Sequence, residues 1–355
     1  MTAEQRAHGD YTIGWVCALP KERTAAKAML DEEHADLGVP LMDPNSYTLG
    51  SMSGHNVVIA CLPAGQTGTE SAAVTATWMA STFPNIRCGL MVGIGGGIPT
   101  HDAHDVRLGD VVVSTPDGTS PAVIQWDRGR AHPGGRVERT GFLNNPPPPL
   151  LRAIARMKSE MKSENELARL WASDLEAMAT KLPELAPRYL RSDSLRDVLF
   201  KPEYLHVSPA EEGDSPLGGG SGEKACRSCD LGRTIKRRPP LRLAKVHYGS
   251  IASGNQVIKD GISRDRLNLE LGGKILCVEM EAAGLMNNFP CAVIRGISDY
   301  ADSHKNDDWH EHAAAMAAVV SKNLLRYVAS RQLEREPTVR GLVSEGKRSE
   351  SRNPF

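Results

Sequence analysis

Apolar residues along this chain fall into short unbroken runs, separated by polar or glycine-bearing turns. Residues 11–19 (YTIGWVCAL), 55–62, 88–93, 110–114, 275–278 and 291–297 are runs of strand length, several rich in Val and Ile. Such runs suit a parallel sheet covered on both faces. Helical patterns lie between them: residues 21–30 after Pro20, the small-residue stretch 69–83 after the turn GQTG, a short helix at 279–287, and 313–328. Residues 47–51 and 55–62 read as a hairpin through Ser53-Gly54. Strand and helix in alternation predict a doubly wound or related three-layer α/β fold.

The pattern breaks after about Thr115. Residues 116–245 carry the run Pro146 to Pro149, a helical pair (150–161 and 167–180), a Gly/Ser-rich loop at 208–223 and the basic stretch CRSCDLGRTIKRRPPLRLAK. The loop is expected to be flexible from its composition. The compact pattern resumes at Val246. One domain over 11–332 with an insertion at 116–245 is expected, followed by a polar, disordered tail over 333–355.

Composition narrows the class. The chain has 355 residues and a formal charge of −1, so its overall charge gives no reason to expect nucleic acid or a membrane surface as partner. No run of eighteen apolar residues exists, and the first ten residues lack the apolar core of a secretion signal. Seven cysteines, an odd number, are scattered, several inside apolar runs. That usage predicts a reducing, cytoplasmic setting.

Candidate chemistry gathers between Gly272 and Asp302. Glu279 and Glu281 follow one strand and Asp299 ends another, at the rim where open α/β sheets bind ligands. Helix-end charge complementarity and capping explain such carboxylates equally well, and the pattern leaves both readings open. The glycines of residues 93–97 let backbone approach a ligand. They form no phosphate loop, since no Gly-Lys-Ser/Thr follows. The histidine clusters at 101–105 and 304–312 do not have the spacing of a metal site. Cys226-x-x-Cys229 is half of a zinc site, which His206 or His247 would have to extend.

Val278-Glu279-Met280-Glu281-Ala282, followed by Arg295-Gly296-Ile297-Ser298-Asp299-Tyr300-Ala301-Asp302, resembles the signature pair of the nucleoside phosphorylase superfamily, nearest its methylthioadenosine/S-adenosylhomocysteine nucleosidase branch. Ile13-Gly14, Ala18-Leu19, Glu22, the segment LGDVVVS at 108–114 and Ser253-Gly254-Asn255 support it in the same order. IASGNQVIKD, EMEAAGLMNNFPC and RGISDYADSHKN are also similar to the nucleoside phosphorylase-like domains of fungal NLR-type proteins, so a stand-alone relative or an excised domain is expected. The resemblance implies an α/β sandwich around a mixed, partly barrel-like sheet, no cofactor, and a homodimer or larger homo-oligomer. It implies that Glu281 binds the ribose hydroxyls with Glu279 beside it and Met280 under the sugar. Asp299 would protonate purine N7 and Glu22 would activate water. Gly95, Ser253, Asn255, Val257 and Ser298 would surround the base, with Val257 where nucleosidases place an aromatic residue.

Within that resemblance, phosphorylases flank the glycines with Arg and Ser, whereas the matching positions here are Met91 and Ile94. Apolar residues there would leave phosphate unpaired. A purine nucleoside hydrolase is therefore expected, acting on adenosine or an adenine nucleotide such as AMP or ATP, with inosine and guanosine open. Arg233, Arg237 and Arg238 are candidates to hold phosphates if the basic stretch folds over the site, and a solvated linker if it does not. A phosphorylase giving ribose 1-phosphate and a catalytically silent nucleoside-sensing module are the alternatives.

Overall fold

The computed structural model describes residues 6–99, 104–133, 137–160, 164–207, 226, 228–237 and 244–342. Its centre is a mixed sheet of ten strands: β1 (Ile13–Cys17), β2 (Glu32–Glu33), β3 (Tyr47–Met52), β4 (His55–Cys61), β5 (Cys88–Gly97), β6 (Val111–Ser114), β7 (Val123–Gln125), β10 (Val246–Ser253), β11 (Ile275–Glu279) and β12 (Cys291–Asp299). β8 (Gly129–Ala131) and β9 (Val137–Arg139) form a separate hairpin. β4, β1, β5 and β12 run parallel as neighbours, and the β2–β3 pair extends that edge antiparallel. On the other side, β12 meets β6 antiparallel, and β6, β10 and β11 run parallel. β11 then returns to β5, pairing Cys277 with Gly97 and Val278 with Gly96. β5, β12, β6, β10 and β11 thus close a ring within an otherwise open sheet, the partly barrel-like arrangement expected.

Alternate side chains of β1 explain why its run carries no polar face. Ile13, Trp15 and Cys17 pack with α1 (Pro20–Ala28) and α7 (His310–Arg326), while Val16 joins the cluster containing Ala72, Ala76 and Met79 of α2 (Thr69–Thr82). Helices on both faces leave no solvated side, so both registers of the strand are apolar. All of α7 from His310 to Leu325 is buried. α3 (Pro148–Glu160) and α4 (Glu164–Lys181) of the insertion cover it: Leu150, Ile154, Met157, Trp171 and Met178 join the same core as Met316 and Val320. α5 (Ala186–Tyr189), α6 (Gly261–Glu270) and α8 (Ser330–Leu333) complete the helices.

Several expectations change. Residues 279–287 make a single 3-10 turn at Ala282–Gly284 rather than a helix. Gly284 stands in the middle, Pro290 closes the segment, and the Glu279 carboxylate takes up the N–H groups of Glu281 and Ala282. The 93–97 glycines lie in β5 rather than in a loop after it, because β11 crosses there. β7, unseen in the sequence pattern, extends the sheet beside β10. Residues 334–342, assigned to the tail, pack on the body: Val339 is fully buried and its N–H donates to the Ile86 carbonyl (2.8 Å). The Gly/Ser-rich loop and residues 343–355 lie outside the described residues. Among the described residues, no helix is long and apolar enough to cross a membrane.

Candidate active site

β1, β5 and β12 end side by side, and β11 ends across from them. Their carboxyl ends surround a cavity of about 170 Å³ that brings together Glu22, Gly95, Val257, Met280, Glu281 and Asp299. Crevices beyond the carboxyl ends of such strands are where these sheets bind ligands.

Glu22 sits in the first turn of α1, where Pro20 is preset for a helix start. Its Oε2 accepts the N–H groups of Ala18 (2.7 Å) and Leu19 (2.9 Å), and its Oε1 accepts that of Ile94 (2.8 Å). Burial raises its pKa, and Arg295 and the three N–H donors offset only part of that rise. Glu22 is thereby fixed in direction and made more basic than a solvated carboxylate.

Arg295, from the middle of β12, holds the carboxylates together. It is 1% exposed, and its Nη2 donates to Glu279 and to Glu281 Oε2 (3.2 Å), while Nη1 donates to the Ile94 carbonyl (3.3 Å). Burial works to lower its pKa, but Glu279, Glu281 and Glu22 together raise it. Gly93 leaves space for this cluster: a Cβ there would overlap Glu22 Oε1 and lie 2.6 Å from Arg295 Nη1. Glu281 Oε1 also accepts the Gly68 N–H (3.2 Å) just before α2. Burial drives its pKa up to about 7, with Glu279 and Glu22 adding to the rise and Arg295 opposing it.

Asp299 closes the far wall. Its Oδ1 accepts the Ala301 N–H (2.9 Å), and its Oδ2 accepts from Ser298 Oγ (2.8 Å) and Lys305 Nζ (2.8 Å). Burial alone would raise its pKa, but the Lys305 ammonium and the hydrogen bonds outweigh burial and lower it. Gly96 permits this approach, since a Cβ there would lie 2.9 Å from Asp299 Oδ1.

The remaining sequence candidates divide. Ser298 lines the cavity, and Val257 stands at its rim, half exposed. Ser253 and Asn255 do not line it. Ser253 Oγ accepts the Ala283 N–H (2.9 Å), and Asn255 Oδ1 accepts from the N–H (2.9 Å) and Oγ1 (3.1 Å) of Thr69 at the start of α2. They position the turn after Glu281 and the helix beside Gly68. Met91 packs in the core, so of the two apolar positions only Ile94 faces the cavity.

Arg233 lies over the Tyr204 ring (5.5 Å), and Arg237 donates to both Asp197 oxygens (2.7 and 2.8 Å) and to the Val106 carbonyl. Neither lines the cavity, so the expected phosphate role loses both; Arg238 lies outside the described residues. Of the histidine clusters, residues 101–103 are outside the described residues, while His310 reaches the cavity and His312 Nδ1 donates to the Tyr189 carbonyl (3.0 Å). Arg295 and Lys305 were missed. Arg295 carried a signal, as a lone charge inside the apolar run CAVIRGI. Lys305 carried none, because only the folding-back of the loop after β12 brings it to Asp299.

No family model matches the chain. It is 45% identical over 342 residues, 96% of its length, to a nucleotide-binding leucine-rich repeat (NLR)-like protein of Hyaloscypha variabilis. It spans only 32% of that relative, about a third. It is 24% identical over 331 residues to a 5'-methylthioadenosine/S-adenosylhomocysteine nucleosidase of Mycobacterium bovis, covering 89% of this chain and 96% of the relative. Over 87 residues, 23% of this chain and 17% of the relative, it is 34% identical to the ATP nucleosidase Cap17 of Escherichia coli. Among solved structures, the Neisseria meningitidis 5'-methylthioadenosine/S-adenosylhomocysteine nucleosidase bound to methylthio-immucillin-A aligns at a TM-score of 0.52 and 18% identity, over 89% of this chain and 98% of that one. With this architecture and these matches, the chain has the fold of the 5'-methylthioadenosine/S-adenosylhomocysteine nucleosidases.

Proposed function

We propose that this chain hydrolyses the N-glycosidic bond of a purine nucleoside to free base and ribose, with adenine the preferred base. The observation that carries the reading is the convergence of Glu22, Glu281 and Asp299 on one cavity, with Glu22 anchored by three backbone N–H groups. Glu281 accepts the ribose hydroxyls and Met280 packs under the sugar. Glu22 takes a proton from the attacking water. The Asp299–Lys305 pair serves N7: Asp299 bonds the base edge, and the Lys305 ammonium supplies the proton that makes the purine a neutral leaving group. The lowered pKa of Asp299 favours a proton that starts on Lys305.

Hydrolysis is favoured over phosphorolysis by the sugar side of the cavity. It presents Glu22, Glu281 and the apolar Ile94, and its buried cation Arg295 is already bonded to Glu279, Glu281 and the Ile94 carbonyl. A phosphate dianion there would face carboxylates without a partner, which costs several kcal/mol in a dry site. A nucleoside is favoured over a nucleotide because no insertion arginine among the described residues lines the cavity.

The test is product chromatography with adenosine, methylthioadenosine, inosine, guanosine, AMP and ATP, each with and without phosphate. Adenine and a free sugar without added phosphate support the reading. Base release that requires phosphate and yields ribose 1-phosphate makes the protein a phosphorylase. Binding of adenosine without turnover makes it a sensing module.

A further inference from the structure

The insertion contributes a cluster that the glycosidic chemistry does not use. His206, Cys226 and Cys229 each offer a ligand atom, and these atoms lie within 4.8 Å of one another. Two thiolates and an imidazole on a tetrahedral ion stand about 3.5–4 Å apart, given bonds of about 2.3 Å to sulfur and 2.0 Å to nitrogen. The cluster therefore needs only a small contraction to close on a metal.

The Cys229 N–H donates to the Cys226 carbonyl (3.1 Å), and the Val207 N–H donates to Cys229 Sγ (3.5 Å). A second observation points to the same place. His304 is buried, neither of its ring nitrogens has a hydrogen-bond partner, and it lines the same cavity as Cys226 and Cys229. Its ring lies 5.7 Å from that of His206, edge to face. Of the two histidines open from the sequence, His247 is excluded: its Nε2 is bonded to Asp110 (2.8 Å), within the sheet.

We infer that His206, Cys226 and Cys229 bind one zinc ion that fastens the insertion to the catalytic loop. Borderline-soft Zn²⁺ matches two thiolates and an imidazole, and three ligands leave a fourth tetrahedral position beside His304. The site joins two stretches separated by the Gly/Ser-rich segment. The first rests on the loop after β12: the His206 N–H donates to Ser303 Oγ (3.0 Å), and Phe200 stacks on His304 (3.9 Å); Cys226 and Cys229 of the second line one cavity with Asp302, His304 and Lys305 of that loop. Lys305 follows in that loop and lines this cavity as well as the first. The ion is a clamp behind the Asp299–Lys305 wall rather than a participant in bond cleavage.

The full chain, purified without a histidine tag under reducing conditions, is analysed for metal by plasma mass spectrometry. About one zinc per chain is expected, released together with two titratable thiols by a mercurial reagent. Cys226→Ser and Cys229→Ser lose the zinc. Cobalt substitution of the wild type gives the visible bands and sulfur-to-metal charge transfer of a tetrahedral thiolate site, which keeps the test valid should a variant fail to fold. Zinc-free protein whose Cys226 and Cys229 titrate freely in the native state, or which shows a Cys226–Cys229 disulfide, overturns the inference. Zinc retained at full stoichiometry in the folded double variant overturns it equally.

Discussion

Replacing Arg295 by Met tests whether one guanidinium organises the site. Met fills a similar unbranched volume without charge. In the wild type, Arg295 bonds Glu279 and Glu281 directly and lies beside Glu22, and all four residues are buried. Removing one partner of a buried ion pair costs about 3–5 kcal/mol, because the remaining charge stays desolvated. Two direct partners put this substitution near the upper end, about 5 kcal/mol. Unfolding entropy of about 2 cal/mol/K per residue comes to roughly 0.7 kcal/mol/K for a chain of this length, so the melting temperature should fall by roughly 5–7 °C near neutral pH.

The deficit should depend on pH in one direction. Without Arg295, the folded-state pKa values of Glu22 and Glu281, already raised, rise further. A carboxylate with a raised folded pKa binds more protons folded than unfolded, so stability is lost as pH rises from the ordinary carboxylate range through that folded pKa. Thermal and urea unfolding at pH 5 and pH 8 should therefore show a small loss at pH 5 and the full loss at pH 8. A melting temperature unchanged at pH 8, or an equal deficit at both, would refute the account of Arg295 as the counter-charge to three carboxylates.

Lys305→Met and Lys305→Arg separate a proton donor from a fixed charge. Arg preserves the charge beside Asp299 but does not release a proton, so both variants should lose on the order of 100-fold or more in kcat, while only Lys305→Met, which leaves the buried Asp299 carboxylate without its counter-charge, should also lower the melting temperature. Wild-type kcat in Lys305→Arg would reduce Lys305 to an electrostatic support. For Glu281, burial sets the carboxyl at about 7, so kcat/KM should fall below that pH as the charged acceptor for the ribose hydroxyls is lost. In Glu281→Gln that acid limb should disappear, and a limb that persists unchanged belongs to another group. Gly93→Ala drives a Cβ into Glu22 and Arg295, so a destabilisation of about 1–3 kcal/mol accompanied by lost turnover is expected from paired melting and activity measurements. A stable and active Gly93→Ala protein would mean that the cluster can shift without consequence.

The division between what was legible and what was not follows the range of each signal. β1, β5 and β12 could be read directly, because a strand covered on both faces writes its burial into consecutive residues. The three-layer α/β class and the strand-end carboxylates Glu279, Glu281 and Asp299 followed from the same local pattern and from the two signature segments. Local pattern misled where a neighbour from elsewhere decides conformation. β11 draws residues 93–97 into the sheet, and Val339 attaches residues that composition alone assigns to a tail.

The sequence by itself determined the architecture and the types of group available at the strand ends, since burial period and turn chemistry are properties of neighbouring residues. Tertiary structure alone decided which groups meet. Arg295 bridges Glu279 and Glu281 across adjoining elements, Lys305 folds back onto Asp299, Asn255 fastens the start of α2 almost two hundred residues earlier, and His206 approaches Cys226 and Cys229. Arg237, basic and near the resumed core in sequence, is taken up by Asp197 instead of the cavity. Such pairings arise from sheet closure and loop return, which bring distant side chains within bonding distance without leaving a local pattern in the chain.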